Sequence, residues 1–177
     1  MIAAFLGYNF LGLGLFYLQN LVFFPHVHLR FLALLLFYVG LRPSLGLALA
    51  LALTLGTLQD SFATTPFGLH LGAALLLVAT ARFFRRRLLW QRLGSQVVAS
   101  LVALILQEVF MQVSTMILGY EGFMVTDLLR QHGVEILGTA ALGPLMYLIV
   151  RGMENFLRRF GWRPGSESST YQPFSGT

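Results

Sequence analysis

The chain of 177 residues contains no cysteine and no lysine, and only 11% of its residues are charged. Without cysteine there can be no disulfide, no thiolate nucleophile and no cysteine-ligated metal. An ordinary soluble domain has about a quarter of its residues charged, so this chain lacks the polar groups to cover a water-facing surface. All of its lysine-plus-arginine charge is arginine, and the arginines flank apolar runs. That placement fits a membrane-topology signal and not the basic patch of a nucleic-acid footprint, so no nucleic-acid partner is expected. Catalytic constellations are missing too. No nucleophile stands beside a histidine and an acid, no glycine loop is built to cradle phosphate, and no two carboxylates lie close in a shared motif. His26 and His28 form no helical ligand pair with a carboxylate. The expectation is a protein that is not an enzyme and holds no cofactor or metal.

What the chain does have is apolar sequence, 56% of all residues. Crossing the hydrocarbon core takes about 20 apolar residues in a helix. Candidate runs cover residues 1–24, 29–41, 44–58, 69–84, 95–118 and 134–150. The second and third are short and separated only by "RPS", so they read as a tight helical hairpin or as one span beside a re-entrant segment. The first run lacks a basic leading region and a small-residue cleavage site, which predicts a retained membrane helix. The fold class expected is an all-α integral membrane protein, with six transmembrane helices in residues 1–160 and a polar, disordered tail in residues 161–177.

Charge supplies an orientation. With six crossings and both termini cytoplasmic, the inner side receives Arg42, Arg82, Arg85, Arg86, Arg87, Arg92, Arg151, Arg158, Arg159 and Arg163. Arg30 and Arg130 fall outside, with Asp60, Glu121 and Asp127. Ten arginines against two is a strong positive-inside bias. A five-crossing arrangement would put the two basic clusters on opposite sides. The inner segment "ARFFRRRLLWQRLG" mixes arginine with Phe83, Phe84 and Trp90, a composition suited to anionic lipid headgroups or to a cytoplasmic partner.

Two stretches carry the functional interest. In "GTLQDSFATTPFGLHLG" the apolar pattern breaks at the outer mouth of the third and fourth helices. Asp60 is expected to end the third helix, as a cap or in interfacial water. Thr65 and Pro66 read as N-cap and first helical residue of the fourth. Ala48, Ala52 and Gly56, and then Gly68 and Gly72, recur every four residues and predict close helix packing. His70 lies about one turn into the fourth helix, where an ionisable group is either hydrogen-bonded packing or functional. The second stretch is "LILQEVFMQVST" in the fifth helix. Ser100, Gln107 and Ser114 form one line and Glu108, Gln112 and Thr115 the next, a polar stripe for the bundle interior or a partner helix. No arginine partner for Glu108 is evident at that depth, so the acid is expected to be buried, largely uncharged and tolerant of Gln.

These residues also carry a family resemblance. "LGTLQDSFATTPFGLHLGAALL" resembles the rod shape-determining MreD family in its small-residue helix, acidic residue, short polar turn and "PLG"-like restart. "HLRFLALLLFYVGLRPSLGLALALALTLG" is similar to that family's second and third segments, and "GPLMYLIVRGMENFLRRF" to its last helix and basic end. The family often has Trp before the proline of the last helix, whereas this chain has Gly143 before Pro144. What the resemblance implies is a bacterial inner-membrane protein that binds MreC and works with MreB, RodA and the transpeptidase partner of RodA. It further implies a six-helix fold similar to the substrate-capture subunits of energy-coupling-factor transporters. On that basis Gly56, Asp60, Pro66, Gly68 and His70 form a non-catalytic motif. Because the implied fold is shared, a small-molecule or vitamin capture subunit is the alternative function. A lipid-binding or lipid-transfer protein is a third.

Overall fold

The computed structural model describes residues 2–22, 29–42, 44–85, 93–119 and 133–159. The expectations placed on His26, His28, Arg86, Arg87, Trp90, Arg92, Glu121, Asp127, Arg130, Arg163 and the tail lie outside these residues. Among the described residues the chain is all-α, with seven helices: α1 (Ile2–Tyr17), α2 (Phe31–Gly40), α3 (Leu45–Phe62), α4 (Leu69–Arg85), α5 (Leu93–Ile117), α6 (Gly133–Ala141) and α7 (Gly143–Arg159). A π-helical segment, Leu18–Val22, extends α1.

Among the described residues three helical stretches are long and apolar enough to cross a membrane: Ile2–Asn20, Leu45–Phe62 and Gly94–Ile117. The bent pair α6 and α7 makes a fourth if counted as one broken span. Apolar side chains point outward on these elements, among them Ile2, Leu6, Phe10 and Leu13 on α1 and Leu45, Leu49 and Leu53 on α3. Such faces are costly in water and suit a lipid surround.

At the centre lies α2, whose ten residues are all buried. Its sequence "FLALLLFYVG" is apolar on every side, as a helix enclosed by other helices requires. Ten residues give a helix only about 15 Å long, half the hydrocarbon thickness. It packs against all six other helices. Lipid tails are as apolar as leucine, so close packing and polar ties must hold this core helix in place.

Those ties stand at its two ends. Arg30, just before α2, is ion-paired with Glu108 of α5. Its backbone N–H also donates to Thr139 Oγ1 of α6 at 3.3 Å. Just beyond the other end, Arg42 pairs with Glu154 of α7 at 2.8 Å. Both glutamates are buried. Arg85, from the end of α4, donates to the Arg42 carbonyl, which brings the C-terminal ends of α2 and α4 together.

Several element boundaries differ from the sequence expectation. The third apolar run does not stop at Leu58, because α3 continues to Phe62 and contains Asp60 in its last turn. The last run is two helices, bent by 44° between Ala141 and Gly143. Pro144 causes the break: it has no N–H to offer the Ala140 carbonyl, and the Ser100 hydroxyl of α5 lies 3.3 Å from that oxygen instead. Close approach at this point needs Gly143. A β-carbon there would lie 2.8 Å from both Ser100 Oγ and Tyr38 Oη. Gly143→Ala is therefore expected to destabilise the bundle by about 1–3 kcal/mol through overpacking, read as a lower melting midpoint in detergent.

Candidate functional site

The quoted break is a three-point clasp. Asp60 is buried, although acidic side chains seldom are. Its Oδ2 accepts the backbone N–H of Gly68 at 3.0 Å and of Leu71 at 3.2 Å. Oδ1 accepts that of His70 at 2.8 Å. Carboxylate oxygens from the end of one helix thus satisfy the orphan donors at the start of the next. Placed at the N-terminal end of α4, the negative charge also meets the positive pole of that helix dipole.

This arrangement corrects three expectations. Asp60 neither ends α3 nor sits in interfacial water, since the helix runs two residues further and the carboxylate is turned inward. Thr65 is not the N-cap of α4. Its Oγ1 is buried with no hydrogen-bond partner among the described residues, and α4 begins at Leu69. Pro66 is not the first helical residue but opens a turn, its carbonyl accepting Leu69 N–H at 3.3 Å. The clasp wins because a charged acceptor reaching three donors outweighs a hydroxyl reaching one.

The glycines divide into two kinds. Gly56 provides close approach, since a β-carbon there would lie 2.9 Å from Leu71 Cα. Ala48 and Ala52 continue that face and are fully buried. Gly72 faces the Phe110 ring of α5, 3.0 Å from where its β-carbon would stand. Gly68 is different: it has open space around it but a φ of +97°. The expectation that it serves packing is therefore corrected. Its backbone conformation excludes most side chains, and that conformation turns its N–H toward Asp60.

Beside the clasp is a groove between α1 with its π-helical extension and the α3–α4 turn. It encloses about 490 Å³ and is lined by Phe16, Tyr17, Gln19, Asn20, Gln59, Phe62, Ala63 and His70. His70 is half-buried, with its backbone held by Asp60 and its position on the groove wall. Phe62 stacks obliquely on Phe16 with ring centroids 5.3 Å apart. Even so it remains 70% exposed, and Phe67 in the turn is 75% exposed.

The polar stripe of α5 faces inward over Ser100, Gln107 and Glu108, all buried. Gln112 donates to Glu108 Oε1 at 3.1 Å, and Arg30 donates to Oε2. The absence of an arginine partner was a wrong expectation. Arg30 flanks α2, far away in sequence, and reaches Glu108 because α2 is short and packs against α5. Glu108 is buried, as expected, and is a member of an ion pair. Gln107 Oε1 has no hydrogen-bond partner among the described residues. The structure thus leaves the clasp residues Gly56, Asp60, Pro66, Gly68 and His70 as one cluster. Glu108 and Gln112 form another, and the Gly72–Phe110 contact packs their helices together.

Residues missed in the sequence were Glu154, hidden in the basic segment "RGMENFLRR", and Thr139. Arg42 and Glu154, each bordering an apolar run, were the signal available for the second ion pair. Among the described residues no three side chains are grouped to hold a metal ion. Comparison of the chain with protein-family models, curated proteins and solved structures finds no match.

Proposed function

We propose that this chain is a six-span, non-catalytic scaffold of the bacterial cell-elongation machinery, residing in the inner membrane and binding MreC. The observation that carries the reading is the buried Asp60 clasp, which sets a rigid turn with Phe62 and Phe67 exposed beside it. A carboxylate with both oxygens engaged by backbone donors holds a turn together, so it shapes a surface. Exposed aromatics next to a fixed turn are the anchors that partner binding uses. Support for the partner's identity comes from the resemblance to the MreD family. The broken α6–α7 pair, α4 and the short α2 are read as the remaining crossings, α2 shielded from lipid by its neighbours. Both termini are read as cytoplasmic from the arginine bias. MreB, RodA and its transpeptidase are placed one contact further away.

The alternative, capture of a small molecule for a transporter, has one observation in its favour. The 490 Å³ groove combines aromatic rings, three amides and His70, a mixture suited to a polar planar ligand. Affinity capture from membranes distinguishes the two. Recovery of co-expressed MreC supports the scaffold, whereas recovery of an ATPase pair or uptake of a vitamin supports the transporter.

A further inference from the structure

The end of the bundle opposite the clasp contains a second cavity, of about 320 Å³, lined by Tyr38, Leu41, Arg42, Arg85 and Tyr147. We propose that this cavity binds a monoanionic phosphate group. The inference does not rest on the scaffold reading.

Charge balance comes first. Two guanidiniums line the cavity, and Glu154 neutralises one of them through its bond to Arg42 Nη1 at 2.8 Å. Among the described residues one positive charge is left over. Donor supply comes second. Arg42 Nη2 is shielded from solvent without a hydrogen-bond partner among the described residues. An unmet buried donor is costly, and a phosphate oxygen would relieve it. Arg85 spends one N–H on the Arg42 carbonyl at 3.5 Å, which leaves most of its fork available. Third is rigidity. Arg42 is fixed from two sides, by Glu154 and by stacking 5.8 Å over the Tyr147 ring, and Tyr147 in turn packs on Tyr38. A planar guanidinium held in this way presents its Nη2 N–H groups in a fixed direction, which suits a phosphate oxygen.

The volume lies in the range of small-ligand sites, about 300–1,000 Å³. Two sources supply the chemistry: the headgroup of an anionic phospholipid, or free phosphate. The cavity opens among the arginine-rich helix ends, the level at which headgroups stand if the bundle spans a membrane.

The test uses the full chain purified in a neutral detergent, with native mass spectrometry after adding phosphatidylglycerol, phosphatidylcholine or inorganic phosphate. Wild type should retain one phosphatidylglycerol under a wash that strips phosphatidylcholine. Arg85→Gln should lower that occupancy about tenfold, the loss of one charge-assisted contact. Arg159→Gln removes the same charge from an exposed site outside the cavity and should leave occupancy unchanged. If inorganic phosphate displaces the lipid, the free ion is also a ligand. If it does not while Arg85→Gln loses binding, the lipid headgroup is the source. The proposal is overturned if Arg85→Gln, folded by its melting midpoint, retains as much phosphatidylglycerol as wild type and binds no less phosphate. It is equally overturned if Arg159→Gln loses as much as Arg85→Gln, since the attraction would then be diffuse charge.

Discussion

Glu108→Ala should lower the stability of the bundle by about 3–5 kcal/mol, because it leaves the Arg30 guanidinium without its counter-charge. Arg30→Ala should cost less. A carboxyl left alone can take up a proton, whereas a guanidinium cannot give one up. Glu108→Gln should fall between wild type and Glu108→Ala, since it keeps an acceptor for Arg30 and Gln112 but not the charge. The decisive variant is the double replacement Arg30→Met with Glu108→Leu. Removing both charges and filling the space should recover most of the loss, as buried pairs replaced by apolar groups commonly do. Melting midpoints in detergent, arranged as a double-mutant cycle, read the coupling. Additive losses would show that the two side chains do not depend on each other.

Asp60→Ala is the second large effect, about 3 kcal/mol, because three backbone donors at the start of α4 lose a charged acceptor together. Asp60→Asn should not be mild. Both carboxylate oxygens are in use, and asparagine replaces one of them with an NH₂ group facing a donor. Gly68→Ala and Gly68→Leu should then be nearly equal, about 1–2 kcal/mol each, because the strain lies in the positive φ and a β-carbon there meets open space. If leucine is far worse than alanine, packing and not backbone conformation governs that position. Melting midpoints again provide the measurement.

The limits of the sequence reading follow from these same residues. Helices were legible wherever a long apolar run stood alone, as in α1 and α5, because length and hydropathy need no partner to be read. Asp60 was legible as special but not in its role. Its acceptors point to residues eight to eleven positions ahead, beyond the reach of local capping rules that favoured Thr65. The Arg30–Glu108 pair was invisible for a similar reason. Nothing in a linear pattern shows that α2 is a short, enclosed helix whose flanking arginine meets the middle of α5. The bend at Gly143–Pro144 was available from the proline alone, yet the run around it is apolar enough to pass for one straight span.

The central claim is that the clasp displays a surface for MreC, and exposed residues test it without disturbing the fold. Phe62 and Phe67 are 70% and 75% exposed, and Phe62 gives up only its ring contact with Phe16, so Phe62→Ser with Phe67→Ser should lower the melting midpoint only slightly. The measurement is co-purification of co-expressed MreC with the tagged chain from membranes, at matched protein levels. Wild type should capture MreC, and the double variant should capture about tenfold less or worse, the loss of a hot-spot pair. Equal capture of MreC by the folded double variant, or none by wild type, would contradict the account.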